Sequence, residues 1–364
     1  TGTPTITVGG DWDSSGGTFT YGTSTVDLTG TGSLTTPGSA YVVYFYNLNV
    51  AASGKTTTVL SHFGCNNNFR VGTGTLSGAG YDVQLEQYAS GTPFINSGSG
   101  NITLDGIWYS PQVGGITVNI GGDYGTLSTD LRLFNGGGTV TFMLTSNLTV
   151  AGLLTLYPAP GMTTTLDTNN SNDYSINVTT FQIASDYAEG PANIYFRDSA
   201  ITLGTGGLIV GNDADAAGTE GPYNLYLNNA TINCAGPWTL VDGLNAITQT
   251  PGTSTVTFDG TGTQSITSNS NTYNNLTVTN NSNIVTFADA FTTSNFTATT
   301  ASTQLTFTAN TTYAVTGTLN LNGQAIGTEV KLRSSASPTR YTLNVTSAQT
   351  VSYVDVKDSN ASGN

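Results

Sequence analysis

Pairs of apolar residues flanking one polar residue recur along this chain: Val256-x-Phe258, Leu276-x-Val278, Val285-x-Phe287, Leu305-x-Phe307, Leu319-x-Leu321, Val330-x-Leu332, Leu343-x-Val345 and Val354-x-Val356. A period of two sends alternate side chains to opposite faces of an extended backbone, so each pair reads as a short strand with one buried face. Ile102-x-Leu104, Ile116-x-Val118-x-Ile120, Val140-x-Phe142, Ile201-x-Leu203 and Leu225-x-Leu227 repeat the pattern earlier. Helix has little to form from. Thr, Ser, Asn and Gly make up about half of the 364 residues, all disfavour helix interiors, and no 3.6-residue apolar stripe is present.

Many short strands at this spacing fit either a row of β-sandwich domains or a parallel β-solenoid with coils of about 20 to 30 residues. Sandwich hairpins call for frequent Asn-Gly or Asp-Gly turns, yet no Gly or Pro occurs between Thr263 and Thr316. Stacked coils also account for the Asn and Thr, whose side chains can form ladders at the strand spacing of about 4.8 Å. The expectation is an all-β, parallel β-solenoid, with tandem β-sandwich domains as the alternative.

An internal repeat divides it. GTSTVDLTGTGSL at Gly22 to Leu34 returns as GTSTVTFDGTGTQSI at Gly252 to Ile266, followed by YNLNV at Tyr46 to Val50 and NNLTV at Asn274 to Val278. The preceding Trp recurs too, in GDW at Trp12 and GPW at Trp238. The division expected is a module over 1–135 with the first copy, a divergent middle segment over 136–250 and the second copy over 251–364. In these motifs the chain resembles large, repeat-rich bacterial surface and secreted proteins of β-helix, adhesin-like type. The resemblance implies extracellular, structural or adhesive roles and supplies no catalytic residues.

The formal net charge is -14, with 8 Lys and Arg and none of them from Asp198 to Val330. Too few cations exist to neutralise phosphates, so nucleic acid is not an expected partner. No apolar run of about 18 residues is present, so membrane insertion is not expected either. The opening TGTPTITVGG is no signal peptide, and the chain reads as processed and secreted, extracellular or on a cell surface. Cys65 and Cys234 are a candidate disulfide in that compartment, with two buried thiols as the plainer alternative. Asn-x-Ser/Thr sequons at Asn101, Asn147, Asn169, Asn177, Asn229, Asn275, Asn280, Asn295, Asn310, Asn344 and Asn360 are as many as the composition would produce.

Residues able to carry chemistry are few. His62, the one His, lies near Cys65, but a tetrahedral metal site needs more N or S ligands and a Ser-His-Asp triad needs a nucleophile elbow that is absent. Asp213, Asp215 and Glu220 in GNDADAAGTEG are hard oxygen ligands at a spacing that could hold calcium. DTNNSND, Asp167 to Asp173, starts like a calcium loop but lacks its Gly and final Glu. Arg197, Asp198, Asp213 and Asp215 form the one set that a polysaccharide-cleaving β-helix could use. T-x-T pairs at Thr5, Thr18, Thr23, Thr297 and Thr306 are too irregular for an ice-binding array. The reading is therefore a non-enzymatic structural protein without a required cofactor. Its partners would be copies of itself joined head to tail into a filament, sheath or surface layer, or surface glycans if it is an adhesin stalk. A polysaccharide-binding or polysaccharide-cleaving β-helix, or a phage spike, is the alternative.

Overall fold

A computed structural model describes residues 3–38, 42–96, 102–124, 129–183, 190–211, 222–241, 247–347 and 349–363. Among them are 34 strands and no helix. The strands pair in parallel from one coil to the next and stack as a β-solenoid of about 13 turns, counted over two compact units. Parallel pairing throughout decides against the sandwich, whose neighbouring strands run antiparallel. The offset between paired positions varies between 18 residues, as in Tyr341↔Ser359, and 31, as in Ala200↔Thr231, and is 20 in Thr255↔Asn275 and Asn275↔Asn295.

The alternation works as expected. Val256 and Phe258, Leu276 and Val278, and Leu305 and Phe307 are fully buried, while the Thr between them stays half-exposed on the outer face. Each inward Val, Leu or Phe contributes about 1.5–3 kcal/mol of burial. The outward amides and hydroxyls join across coils instead. Val354-x-Val356 departs from the expectation, since Val354 is half-buried and Val356 is 52% exposed. Its strand Val354–Val356 belongs to the outermost described coil, which has a neighbouring coil on one side only.

Turns in the stretch without Gly or Pro have their own solution. Asn269, Ser270, Ser302 and Asn310 adopt φ of 49°, 56°, 64° and 60°. Asn tolerates the left-handed region because its short side chain bonds locally, so runs of Asn and Ser can make corners that elsewhere need glycine.

Unit 1 comprises Thr1–Asn169 with Glu189–Ala192, and unit 2 comprises Asn170–Ala188 with Asn193–Asn364. Each holds one copy of the sequence repeat, and the copies have matching registers. Trp12 pairs with Leu34 in unit 1 and Trp238 with Ile266 in unit 2. Val26 pairs with Leu48 and Val256 with Leu276. The polar ladder repeats as well: Asn47 Nδ2 donates to Thr25 Oγ1 at 3.1 Å and Asn275 Nδ2 to Thr255 Oγ1 at 3.3 Å. One coil further on, Asn67 donates to Asn47 Oδ1 and Asn295 to Asn275 Oδ1, both at 2.8 Å.

Aromatic residues fill the coil interiors. In unit 1 a chain of contacts runs from Trp12 through Phe45, Phe63, Phe69 and Phe94 to Tyr124. In unit 2, Phe287, Phe307 and Tyr341 stack in order, with centroids 5.2 and 4.6 Å apart.

Candidate functional site

The densest group of charges lies on the outer face of unit 1. Gly106 pairs with Asp82 in one neighbouring coil and Asp130 in the other, and Trp108 pairs with Gln84 and Arg132. The recurrence of 82, 106 and 130 therefore puts two carboxylates on one line with a glycine between them. Arg132 spans the gap: Nη1 lies 3.3 Å from Asp82 Oδ1 and Nη2 2.8 Å from Asp130 Oδ2. A Cβ at position 106 would stand 2.5 Å from Arg132 Nη1 and 2.7 Å from Asp82 Oδ1, so the bare backbone makes room for the bridge. The guanidinium also lies over the Trp108 ring, 4.7 Å from its centroid, and Trp108 stacks with Tyr157. Asp130 Oδ1 accepts the Leu153 backbone N–H at 2.9 Å.

His62 closes one end. Its Nδ1 accepts the Asp82 backbone N–H at 3.0 Å and lies 3.7 Å from the Asp82 carboxylate, while Tyr81 packs edge-on against the ring. An accepting Nδ1 leaves the neutral ring's proton on Nε2. No Cys approaches the group closely enough to suggest a metal, and among the described residues no three His, Cys, Asp or Glu side chains gather to hold one. Arg132 is instead held by Asp130 of its own strand and reaches past the Gly106 strand to Asp82, an arrangement that ties coils together. Asp82, Asp130 and Arg132 were not singled out from the sequence, because Asp82 and Arg132 are 50 residues apart. The 24-residue recurrence was the available signal.

The residues named from the sequence fall elsewhere. Asp213, Asp215 and Glu220 lie outside the described residues, as does Asn101. Asp167 is buried and accepts the Asn169 backbone N–H, and Asp173 accepts that of Asp198; both bonds shape turns. Arg197 lies over Tyr195, which stacks with Tyr226 at 4.5 Å. The candidate disulfide is not formed: Cys65 and Cys234 are both free and buried. Each fills an inward strand position packed by apolar side chains. Burial raises the Cys65 thiol far above its usual range and pushes Cys234 up to about 12, so neither is a nucleophile at neutral pH.

The sequons separate by exposure. Asn147, Asn177, Asn229, Asn310 and Asn360 are exposed, whereas Asn169, Asn275, Asn295 and Asn344 are half-buried. The amide nitrogens of Asn275 and Asn295 are already bonded within the ladder. Asn280 is buried, donates to Gly262 O and Gln264 Oε1, and cannot accept a glycan in the folded chain.

The carboxylates set a pH dependence. Burial raises the pKa of Asp82, Asp259 and Asp289 by disfavouring the charged form, although Arg132 opposes the effect at Asp82. Hydrogen bonds lower Asp11 and Asp13, both exposed, and Glu329, half-exposed. A carboxyl raised in the fold favours folding most below its unfolded value of about 3.9, and that contribution is lost as pH rises through the folded value. The lowered groups act oppositely, losing their contribution as pH falls through their folded values, but they are solvent-screened. Acidification also relieves repulsion within a chain of charge -14. The melting temperature is therefore expected to rise as pH falls from 7 to about 4. Calorimetry across that range checks it; a steady fall would mean the exposed groups dominate.

Comparison with family models, curated proteins and solved structures gives no match to the chain. The class established is that of a parallel β-solenoid, and the case for function rests on residues and geometry.

Proposed function

We propose that the chain is an extracellular structural protein that assembles head to tail into a filament, sheath or surface layer, or acts as an adhesin stalk. The observation that carries this reading is the use made of the outer face. Its amides, hydroxyls and charges join coils to one another, as in Thr25–Asn47–Asn67, Thr255–Asn275–Asn295 and Asp82–Arg132. Such ladders resist shear between coils because every rung is tied to its neighbours through backbone and side chain together. Low charge and the absence of Lys and Arg from Asp198 to Val330 suit exposure to trypsin-like proteases.

In its self-associating form the reading takes copies of the same chain as partners. Continuing the stack over the outermost described coil would bury Val351 and Val356, each 52% exposed, and extend the backbone ladder at about 0.5–1.5 kcal/mol per hydrogen bond. Electron microscopy of the purified chain in physiological salt is expected to show fibres with an axial repeat set by one chain. Isolated particles or compact trimers would remove self-assembly and leave the stalk or a phage spike.

A further inference from the structure

We propose that one outer face of unit 2 binds ice. Threonine intervals that look irregular in the sequence become regular in space, because unequal coil offsets bring the residues into one register. Thr202 pairs with Asn233, Asn233 with Thr257, Thr257 with Thr277, Thr277 with Thr297 and Thr297 with Asn320. A second column, two residues upstream, runs from Thr231 through Thr255 and Asn275 to Asn295. All ten positions are Thr or Asn, and none is buried.

Together the columns form a lattice. Paired positions stand about 4.8 Å apart across the coils and positions i and i+2 about 6.6 Å apart along a strand, so the first column covers about 24 Å. A β-branched Thr is restricted at χ1, which lets its methyl and hydroxyl repeat in one orientation from coil to coil.

The two columns differ in what their side chains do. In the second, Asn295 Nδ2 donates to Asn275 Oδ1 at 2.8 Å and Asn275 Nδ2 to Thr255 Oγ1 at 3.3 Å, which holds the rungs in place. In the first, Thr257, Thr277 and Thr297 make no side-chain hydrogen bond within the chain, so their hydroxyls are left for the solvent side. Another face of unit 2 begins in the same way with Ser265, Thr286 and Thr306, but its next paired position is Arg333, and the uncharged array stops there.

The lattice selects the ligand. Small molecules are held in concave sites, whereas an extended, uncharged array that repeats in two directions fits a surface that repeats likewise. Ice presents oxygen atoms at spacings close to these two. First-shell water ordered by the methyl groups and hydrogen-bonded to the free hydroxyls can merge with that crystal. A crystalline polysaccharide would call for aromatic rings against its sugar faces, and neither column contains one. The face lies along the stacked coils and not at their ends, so this proposal and self-association can fail separately.

Freezing a dilute solution of the full chain slowly around a cold probe tests the face, with the chain labelled on its lysines, none of which lies in the columns. The label is expected to enter the ice well above the level of a non-binding control protein, and small crystals grown in its presence should become faceted. Exclusion from ice to the control level overturns the proposal, as does retention on crystalline cellulose or chitin with none on ice. Thr277→Tyr, in the middle of the free column, should bring uptake down to the control, whereas Thr286→Tyr on the other face should leave it unchanged. Equal effects of the two variants would overturn the assignment to this face. Should Thr277→Tyr lower the melting temperature, the exposed Thr202→Tyr takes its place, with the same loss expected.

Discussion

Gln264→Met is expected to destabilise unit 2 by about 3 kcal/mol, although it conserves volume and removes a polar group from the core. Gln264 is fully buried and bonded at both ends of its amide. Nε2 donates to Cys234 O at 2.8 Å and Gly236 O at 2.9 Å, while Oε1 accepts from Gly260 N–H at 3.1 Å and Asn280 Nδ2 at 2.9 Å. The two carbonyls keep other contacts, from Asp259 N–H and the Cys234 thiol. Gly260 N–H and one Asn280 N–H would be stranded, each at about 1–3 kcal/mol. Urea unfolding followed through Trp238, with Trp12 and Trp108 replaced by Phe, isolates unit 2. A loss below about 1 kcal/mol would mean that water or a shift in Asn280 replaces the network.

Phe307→Ala should cost about 4–5 kcal/mol, the largest effect expected of one core truncation here. Phe307 pairs in register with Phe287, stacks between it and Tyr341, and meets Tyr313 edge-on at 4.9 Å. Removing the ring breaks all three contacts and opens a cavity that flanking coils, fixed by their ladders, cannot close. Phe307→Leu, which keeps most of the volume, should lose less than half as much. The same urea measurement checks both. A loss under about 2 kcal/mol for the Ala variant would show that the coils collapse into the space.

Of the two variants, only Phe307 lies in a strand plain from the sequence, since the strand of Gln264 was marked there only by the repeat. Leu305-x-Phe307 announced an inward pair by spacing alone, and the burial of Phe307 follows from the period of two. The repeat was equally legible: its Trp, Val and Leu positions recover the same register in each unit. Where the reading fell short, the missing quantity was the offset between coils. The two cysteines looked like a candidate pair until the fold put each in its own apolar interior.

Local alternation determined that this chain would be strands, which residues face inward, and that Asn and Thr would line the outside, because those properties depend on neighbours two residues away. Which outward residues meet was decided by the tertiary structure, since the offset between paired positions varies from 18 to 31 residues and each change shifts every cross-coil partner. Gln87 and Gln264 illustrate the difference. Each is a glutamine at the end of a strand and each is buried, yet one has all its amide groups answered and the other has an acceptor sealed in without a partner. Only the stacking of distant coils could separate the answered amide from the unanswered one, because most partners of Gln264 are supplied by residues some 16 to 30 positions away.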